Sequence, residues 1–345
     1  MQAVLVSDWT TFDSLVLTEQ PSPQVGEREL KIKVQAVGIG FAMSLVVQGK
    51  YQRRPPLPFV PGTEVAGIVT EVGPNANRFK VGDRVVSVLD WGGLAEQAVA
   101  KEVNTFSLPE SLEFARAVGL TNSYATTCAA LTWPRLLDVQ AGQTLLVHGA
   151  GGGVGLAAVE IGKILGATVI ATASTQAKLD AASAHGADHL INYAESNFRD
   201  AVLRITQGDG VNCVYDPVGG EVFNQSLRCM APEGRIMPVG FAGGDIPQIP
   251  ANILLVKNLS VCGLNMGLYF GWSPKDERYR YEGLMRATMD KLFRWFEDGG
   301  IKPEIAATFT LPNFRDAMDE VLSRRAIGRV AVVMDEEAKR CSHAD

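Results

Sequence analysis

Apolar residues fall in short runs along the first hundred or so positions: AVLVS, SLVLTE, ELKIKVQAVGI, EVAGIVTEVG and DRVVSVL, separated by Pro, Gly and Asp/Asn. Runs bounded by turn-formers predict strands, and the lack of a steady strand–helix alternation predicts a barrel-like β domain. A helical stretch, FARAVGLTNSYATTCAALT, then changes the rhythm. From Thr144 the alternation becomes regular. TLLVHG, TVIATA, HLINY, VNCVYD, RIMPVG and LSVCGL are spaced by helix-like segments such as AKLDAASAHG, NFRDAVLRITQG and EVFNQSLRCM. Six strands with intervening helices predict a parallel, doubly wound sheet. After about Met266 come two helix patterns, EGLMRATMDKLFRWFEDGG and NFRDAMDEVLSR, and two strands, the last being GRVAVVM. These are too few for a domain, so the stretch is expected to return and complete the first one. The ending, DEEAKRCSHAD, reads as a solvated tail.

Composition narrows the class of protein. The chain has 345 residues, 46% hydrophobic and 20% charged, which fits a folded protein of about two domains. A net charge of -6 and a pI near 5.4 recommend neither nucleic acid nor an anionic membrane as a partner. No apolar stretch reaches the roughly 20 residues that cross a bilayer. MQAVLVSDWT lacks the basic flank and long apolar run of a secretory signal. Cys128, Cys213, Cys229, Cys262 and Cys341 are dispersed and odd in number, as expected of reduced thiols in the cytoplasm.

Candidate chemistry centres on HGAGGGVG, residues 148–155, between an apolar strand and a helical run. In the dinucleotide fingerprint, small residues allow a tight turn, backbone approach to a pyrophosphate, and close packing of helix on strand. Ala150, Gly152 and Gly155 take the three fingerprint places, and the phosphates are expected at the positive end of the next helix, at Gly153 and Val154. Further small-residue loops, DPVGG and VGFAGG, end later strands. An NAD site would carry an acid at the end of the second strand to bind the ribose 2′-hydroxyl. This chain has Ala173 and Ser174 there. Ser174 and Lys178, with Tyr193 ending the third strand, could instead meet a 2′-phosphate, which favours NADPH over NADH.

With QGKYQRRPPLPFVPGTEVAGIVTEVG, VGDRVV, LLVHGAGGGVGLAAVEIGKILGA, GADHLINY, DPVGG and IGRVAVV in this order, the chain resembles the zinc-independent quinone oxidoreductase branch of the medium-chain dehydrogenase/reductases. The resemblance runs nearly end to end. It implies an α/β fold in which a Rossmann doubly wound parallel sheet, residues 124–266, is inserted into a GroES-like β-barrel domain, residues 1–123 and 267–345, with a cleft between them. It also implies a homodimer paired through the edge strand near 259–264. Carried across residue by residue, it implies that Tyr51 lines the active cleft and that Thr126 contacts the cofactor near its nicotinamide end. Gly240 and Phe241 would shape the nicotinamide pocket, and Arg329 would approach the 2′-phosphate.

The chain also departs from the pattern. Zinc members carry Gly-His-Glu where it has Gly62-Thr63-Glu64, and a catalytic Cys near Gly40, so no zinc site is expected. His185 and His189 straddle Gly186 at a helix end, which breaks the spacing a metal pair would need. Most relatives read GVNFxD where this chain reads GIGFAM, so Gly40 and Met43 replace an Asn and an Asp of the active cleft. Without zinc, a metal-acidified alcohol is ruled out and hydride delivery to a quinone, enone or enal is expected. One alternative is an enoyl-thioester reductase with a basic entrance at Arg53, Arg54 and the Arg278–Arg280 region. Another is a catalytically silent NADPH-binding protein.

Overall fold

A computed structural model describes residues 1–334 of the chain. The tail expected at DEEAKRCSHAD lies outside the described residues. The chain divides into two compact units, the first built from Met1–Asn122, Met266–Phe293 and 303–334, the second from Ser123–Asn265 and Arg294–Lys302.

In the first unit, β1 (Gln2–Leu5) and β2 (Val16–Glu19) form an antiparallel hairpin. The strands β3 (Glu29–Ile39), β4 (Glu64–Val72), β5 (Arg84–Val88), β6 (Gln97–Lys101) and β7 (Thr105–Ser107) follow. They join β14 (Ile305–Thr310) and β15 (Arg329–Val333) in a seven-stranded sheet ordered β14-β15-β3-β4-β5-β7, with β6 on β3. The C-terminal strands therefore return to the first sheet, as their number predicted. The core gathers Leu30, Ile32, Val34, Val37 and Ile39 from β3 with Val65 and Val69 from β4, all nearly inaccessible to solvent. Alternation fails along β3 because its last six residues are buried whichever way they point. FAMSLVV, apolar enough to read as strand, forms instead the helix Phe41–Val47.

The second unit holds β8 (Thr144–Val147), β9 (Thr168–Ala173), β10 (His189–Asn192), β11 (Val211–Asp216), β12 (Met230–Pro238) and β13 (Ser260–Val261). All pair in parallel, in the order β10-β9-β8-β11-β12-β13. This is the doubly wound order whose direction reverses between β8 and β11, where the carboxyl ends of the strands leave a crevice for a ligand. The predicted helical stretch 114–132 is not one helix. It runs as Phe114–Gly119, a wide π turn over Leu120–Tyr124, and Ala125–Thr132, and the division between units falls inside the turn.

The boundary at the far end also differs from the expected one. Residues 294–302 close onto the second unit because a buried carboxylate ties them there. Glu160, 4% exposed in the helix Gly153–Ile164, accepts from the Lys302 backbone N–H at 2.9 Å, the Tyr124 hydroxyl at 2.7 Å and the His185 Nδ1 at 2.6 Å. Such a charge is tolerable in a core only because its lone pairs are filled.

Candidate dinucleotide site

The turn after β8 is shaped by three glycines with separate jobs. Gly149 has φ +57°, the left-handed region that lets the chain reverse directly after His148. Sequence reasoning placed the tight turn at Ala150, one residue later; Ala150 is instead buried and donates its N–H to the Thr172 carbonyl on β9. With four glycines among six residues, nothing local marks which one is left-handed. Gly155 lies where a Cβ would come 2.3 Å from the Gly149 carbonyl oxygen, so only glycine lets the helix sit this close. At Gly152 a Cβ would meet nothing nearer than 3.5 Å, so protein packing does not require glycine there. Gly152 opens the helix Gly153–Ile164, and Gly152, Gly153 and Val154 are all partly exposed. The first-turn N–H groups have no carbonyl behind them within the helix and carry its positive end. A cradle that a Cβ would fill, below free helix N–H groups, fits a pyrophosphate.

The ends of β9 and β10 converge on the same turn. Ala173 is buried and accepts the Tyr193 N–H at 3.1 Å, which sets the backbone of the exposed Tyr193 level with the end of β9. Thr175 caps the helix Gln176–Ala184 by accepting from the Lys178 N–H. The Lys178 stem packs on Gly151, where a Cβ would stand 2.6 Å from the lysine Cγ. Partial burial pushes the Lys178 ammonium below its usual range. No carboxylate stands at the end of β9 to repel a phosphate. Ser174, Lys178 and Tyr193 are therefore gathered by the fold; Gly151, the residue that seats the lysine, was missed.

The other two loops are built around Asp216, which sequence reasoning also passed over. It is fully buried at the end of β11, and Oδ1 accepts from the Val218 and Gly219 N–H groups. Gly243 and Ala242 then bond back to Val218 and Pro217, which holds Gly240 and the exposed Phe241 against this loop. Thr126 lies in the helix Ala125–Thr132 and is 9% exposed.

The remaining sequence candidates lie in the first unit, and three have other company than expected. Arg329 does not present an unpaired charge for a 2′-phosphate. Its Nη2 donates to Glu64 Oε2 at 2.6 Å, and Asn122 donates to the other Glu64 oxygen at 2.7 Å. Gly40 is not simply a missing asparagine, because a Cβ there would lie 3.1 Å from Arg329 Nη1. Met43 is not a lining residue; it is 9% exposed and packs into the core of the first unit. Tyr51 is half-buried against Trp272, ring centroids 6.0 Å apart at 72°, and burial raises its phenol above the usual range. The expected basic entrance is largely neutralised. Arg53 and Arg278 share Asp90, and Arg280 pairs with Glu277. His185 is taken by Glu160, and among the described residues no three His, Cys, Asp or Glu side chains are grouped to hold a metal. No helix among them is long and apolar enough to cross a membrane.

A doubly wound sheet with a dinucleotide turn in one unit, and a mainly antiparallel sheet in the other, define a class of two-domain dinucleotide-binding oxidoreductase folds. Comparison with known proteins gives the particular family. Residues 26–126 match the alcohol dehydrogenase GroES-like domain, and residues 153–286 match the zinc-binding dehydrogenase domain. The chain is 41% identical to a quinone oxidoreductase-like protein 2 homolog of Nematostella vectensis over 89% of its own length and 82% of the relative's. Among solved structures, Escherichia coli quinone oxidoreductase, crystallised with NADPH, superposes with a TM-score of 0.86 at 27% identity, covering 96% of this chain and all of that one. A mycobacterial protein crystallised with NADPH gives the same TM-score at 29% identity and the same coverage. The chain belongs to the medium-chain dehydrogenase/reductase superfamily, in its quinone oxidoreductase branch.

Proposed function

We propose that this protein is an NADPH-dependent, zinc-independent reductase of quinones or of conjugated enones and enals. The observation that carries the reading is the second unit's paired site: an open glycine cradle at Gly152 beside an acid-free pocket of Ser174, Lys178 and Tyr193. Quinone oxidoreductase is the name carried by relatives from rat and from Escherichia coli, and it supports the choice of acceptor. Bound NADPH would supply a hydride; with one proton, the quinone becomes a hydroquinone. The protein's own part is placement. Helix N–H groups and Lys178 would hold the phosphates, Gly240 and Phe241 would border the nicotinamide, and Tyr51 would meet the acceptor. A phenol is protonated at neutral pH and burial raises that of Tyr51 further, so it can donate a hydrogen bond to an acceptor carbonyl. Thr63 and Gly40 stand where zinc members carry ligands, so the acceptor must be one whose own conjugation spreads the incoming charge.

We also read the protein as a cytoplasmic homodimer joined beside β13. That two-residue strand ends the sheet, and the helix Ala251–Lys257 shortly before it in the chain exposes Leu255 and Val256 by more than three-quarters. Unpaired strand edges and apolar patches of this kind are suited to self-association.

The test follows NADPH absorbance with 9,10-phenanthrenequinone and a panel of enones and enals, with NADH and a chelator in parallel. Chelator-resistant oxidation, faster with NADPH than with NADH, is expected. Tight NADPH binding with no acceptor reduced would make the protein a silent binder instead.

A further inference from the structure

Residues 185–188 form the turn between the helix Gln176–Ala184 and β10, and the proposed chemistry does not use them. His185 caps the end of that helix, and Asp188 enters the sheet by donating its N–H to the Val169 carbonyl at 2.9 Å. Both side chains are taken by one other helix. His185 Nδ1 donates to Glu160 Oε1 at 2.6 Å, and Lys163 Nζ donates to Asp188 Oδ1 and Oδ2 at 2.8 and 2.7 Å. Glu160 and Lys163 lie three residues apart in the helix Gly153–Ile164, so they share a face. Gly186 has φ +103°, and a Cβ there would come 3.1 Å from the Lys163 Cγ, so the lysine stem lies along the turn.

The two contacts are themselves well held. Glu160 also accepts the Tyr124 hydroxyl and the Lys302 N–H, so two further segments fix it. Burial raises the Asp188 carboxyl, but Lys163 and the Val169 N–H outweigh that and leave it below its usual range. What the turn joins gives the contacts a consequence. The helix before it carries Lys178, about two turns from His185, and β10 after it leads directly to Tyr193. The clasping helix opens at the glycine cradle, about two turns before Glu160. The near end of the Lys178 helix rests on Gly151. A second fixed point at its far end stops it from pivoting.

We propose that Glu160 and Lys163 are positioning residues for the 2′-phosphate: by clasping the turn 185–188 they hold Lys178 and Tyr193 in register with the glycine cradle and so set the preference for NADPH. This rests on the reading of Ser174, Lys178 and Tyr193 given above. Neither residue touches the cofactor; each acts through the turn. A charge-assisted hydrogen bond weakens steeply with distance and angle, so a small pivot of the helix costs the Lys178 contact. The pyrophosphate is met by N–H groups of the clasping helix itself, which do not depend on the turn. Loss of the clasp therefore removes the 2′-phosphate's share of affinity and spares the rest.

The experiment titrates adenosine 2′,5′-bisphosphate and 5′-AMP, which differ only in the 2′-phosphate, by calorimetry. The proteins are the wild type, Lys163→Met, Lys163→Arg, His185→Leu and the double variant Lys163→Met with His185→Leu, each checked for fold by circular dichroism. In the double variant 5′-AMP affinity should hold while the bisphosphate advantage falls about tenfold, the share of one charge-assisted hydrogen bond. Each single loss should do less, and Lys163→Arg, which keeps the ion pair, should retain most of the advantage. An unchanged advantage in the folded double variant overturns the proposal. So does an equal loss for both nucleotides, which marks loosening of the whole site. Should the double variant not fold, Lys163→Met against Lys163→Arg, at a partly exposed side chain, decides in the same way. A wild type that binds the two nucleotides equally defeats the 2′-phosphate reading itself, and the clasp's role with it.

Discussion

Burial holds His148 neutral: its imidazole is 1% exposed, which lowers its pKa to about 4, with nearby Asp216 opposing part of the shift. Ser226 donates its hydroxyl to the Val222 carbonyl, so it accepts from His148 Nε2, and Nδ1 accepts from Thr172. Because the unfolded chain protonates this histidine near pH 6.5, it binds more protons than the folded one between about 6.5 and 4. The stability is complete above that window and falls by about 3 kcal/mol as pH drops through it. Thermal melts from pH 7.5 to 4 should show this loss, and His148→Gln should lessen it. Lys178 is the other residue with a measurable share. Lys178→Met should raise the NADPH KM about tenfold or more and leave that for NADH unchanged, as expected for losing a charge-assisted hydrogen bond. Ser174→Asp should turn the preference toward NADH by restoring a carboxylate at the end of β9. Both residues are proposed from sequence because they follow a predicted strand. The pairing of Arg329 is not legible in that way, because a residue's partner across 265 positions, here Glu64, is fixed by strand pairing.

Between strand and helix, the glycine turn makes two substitutions separable. Gly152→Ala adds a Cβ with no protein neighbour closer than 3.5 Å, so melting should shift by no more than about 2 °C. NADPH affinity, measured by fluorescence titration, should nevertheless fall because the methyl occupies the cradle. Gly155→Ala drives a Cβ to 2.3 Å from a backbone oxygen, and overpacking of this kind costs about 1–3 kcal/mol. Its melting temperature should drop together with its affinity. The periodic pattern located every strand of the parallel sheet, since each contains an apolar run set off from the next by a helix-length stretch. It missed the helices Phe41–Val47 and Ala251–Lys257, which are too short to display a period. It also merged the two helices around the π turn, because a wide turn keeps the apolar spacing of a continuous helix.

At the scale of the whole molecule, the proposed dimer has its own prediction. Light scattering after size exclusion should give twice the chain mass, and Leu255→Asp with Val256→Asp should give the single-chain mass with the fold retained by circular dichroism. An unchanged mass in that double variant would remove the helix Ala251–Lys257 from the interface. Sequence by itself determined the parallel sheet, the return of the C-terminal strands to the first unit, and the dinucleotide turn. These rest on local patterning, which a one-dimensional reading samples directly. Only tertiary structure decided that 294–302 closes on Glu160, that Gly149 is the left-handed residue, that Met43 is core and that Arg329 is paired with Glu64. It alone brought His185 and Asp188 onto the helix of Glu160 and Lys163. Contacts between residues far apart in the chain depend on strand register and packing, and neither is written in the spacing of hydrophobic positions.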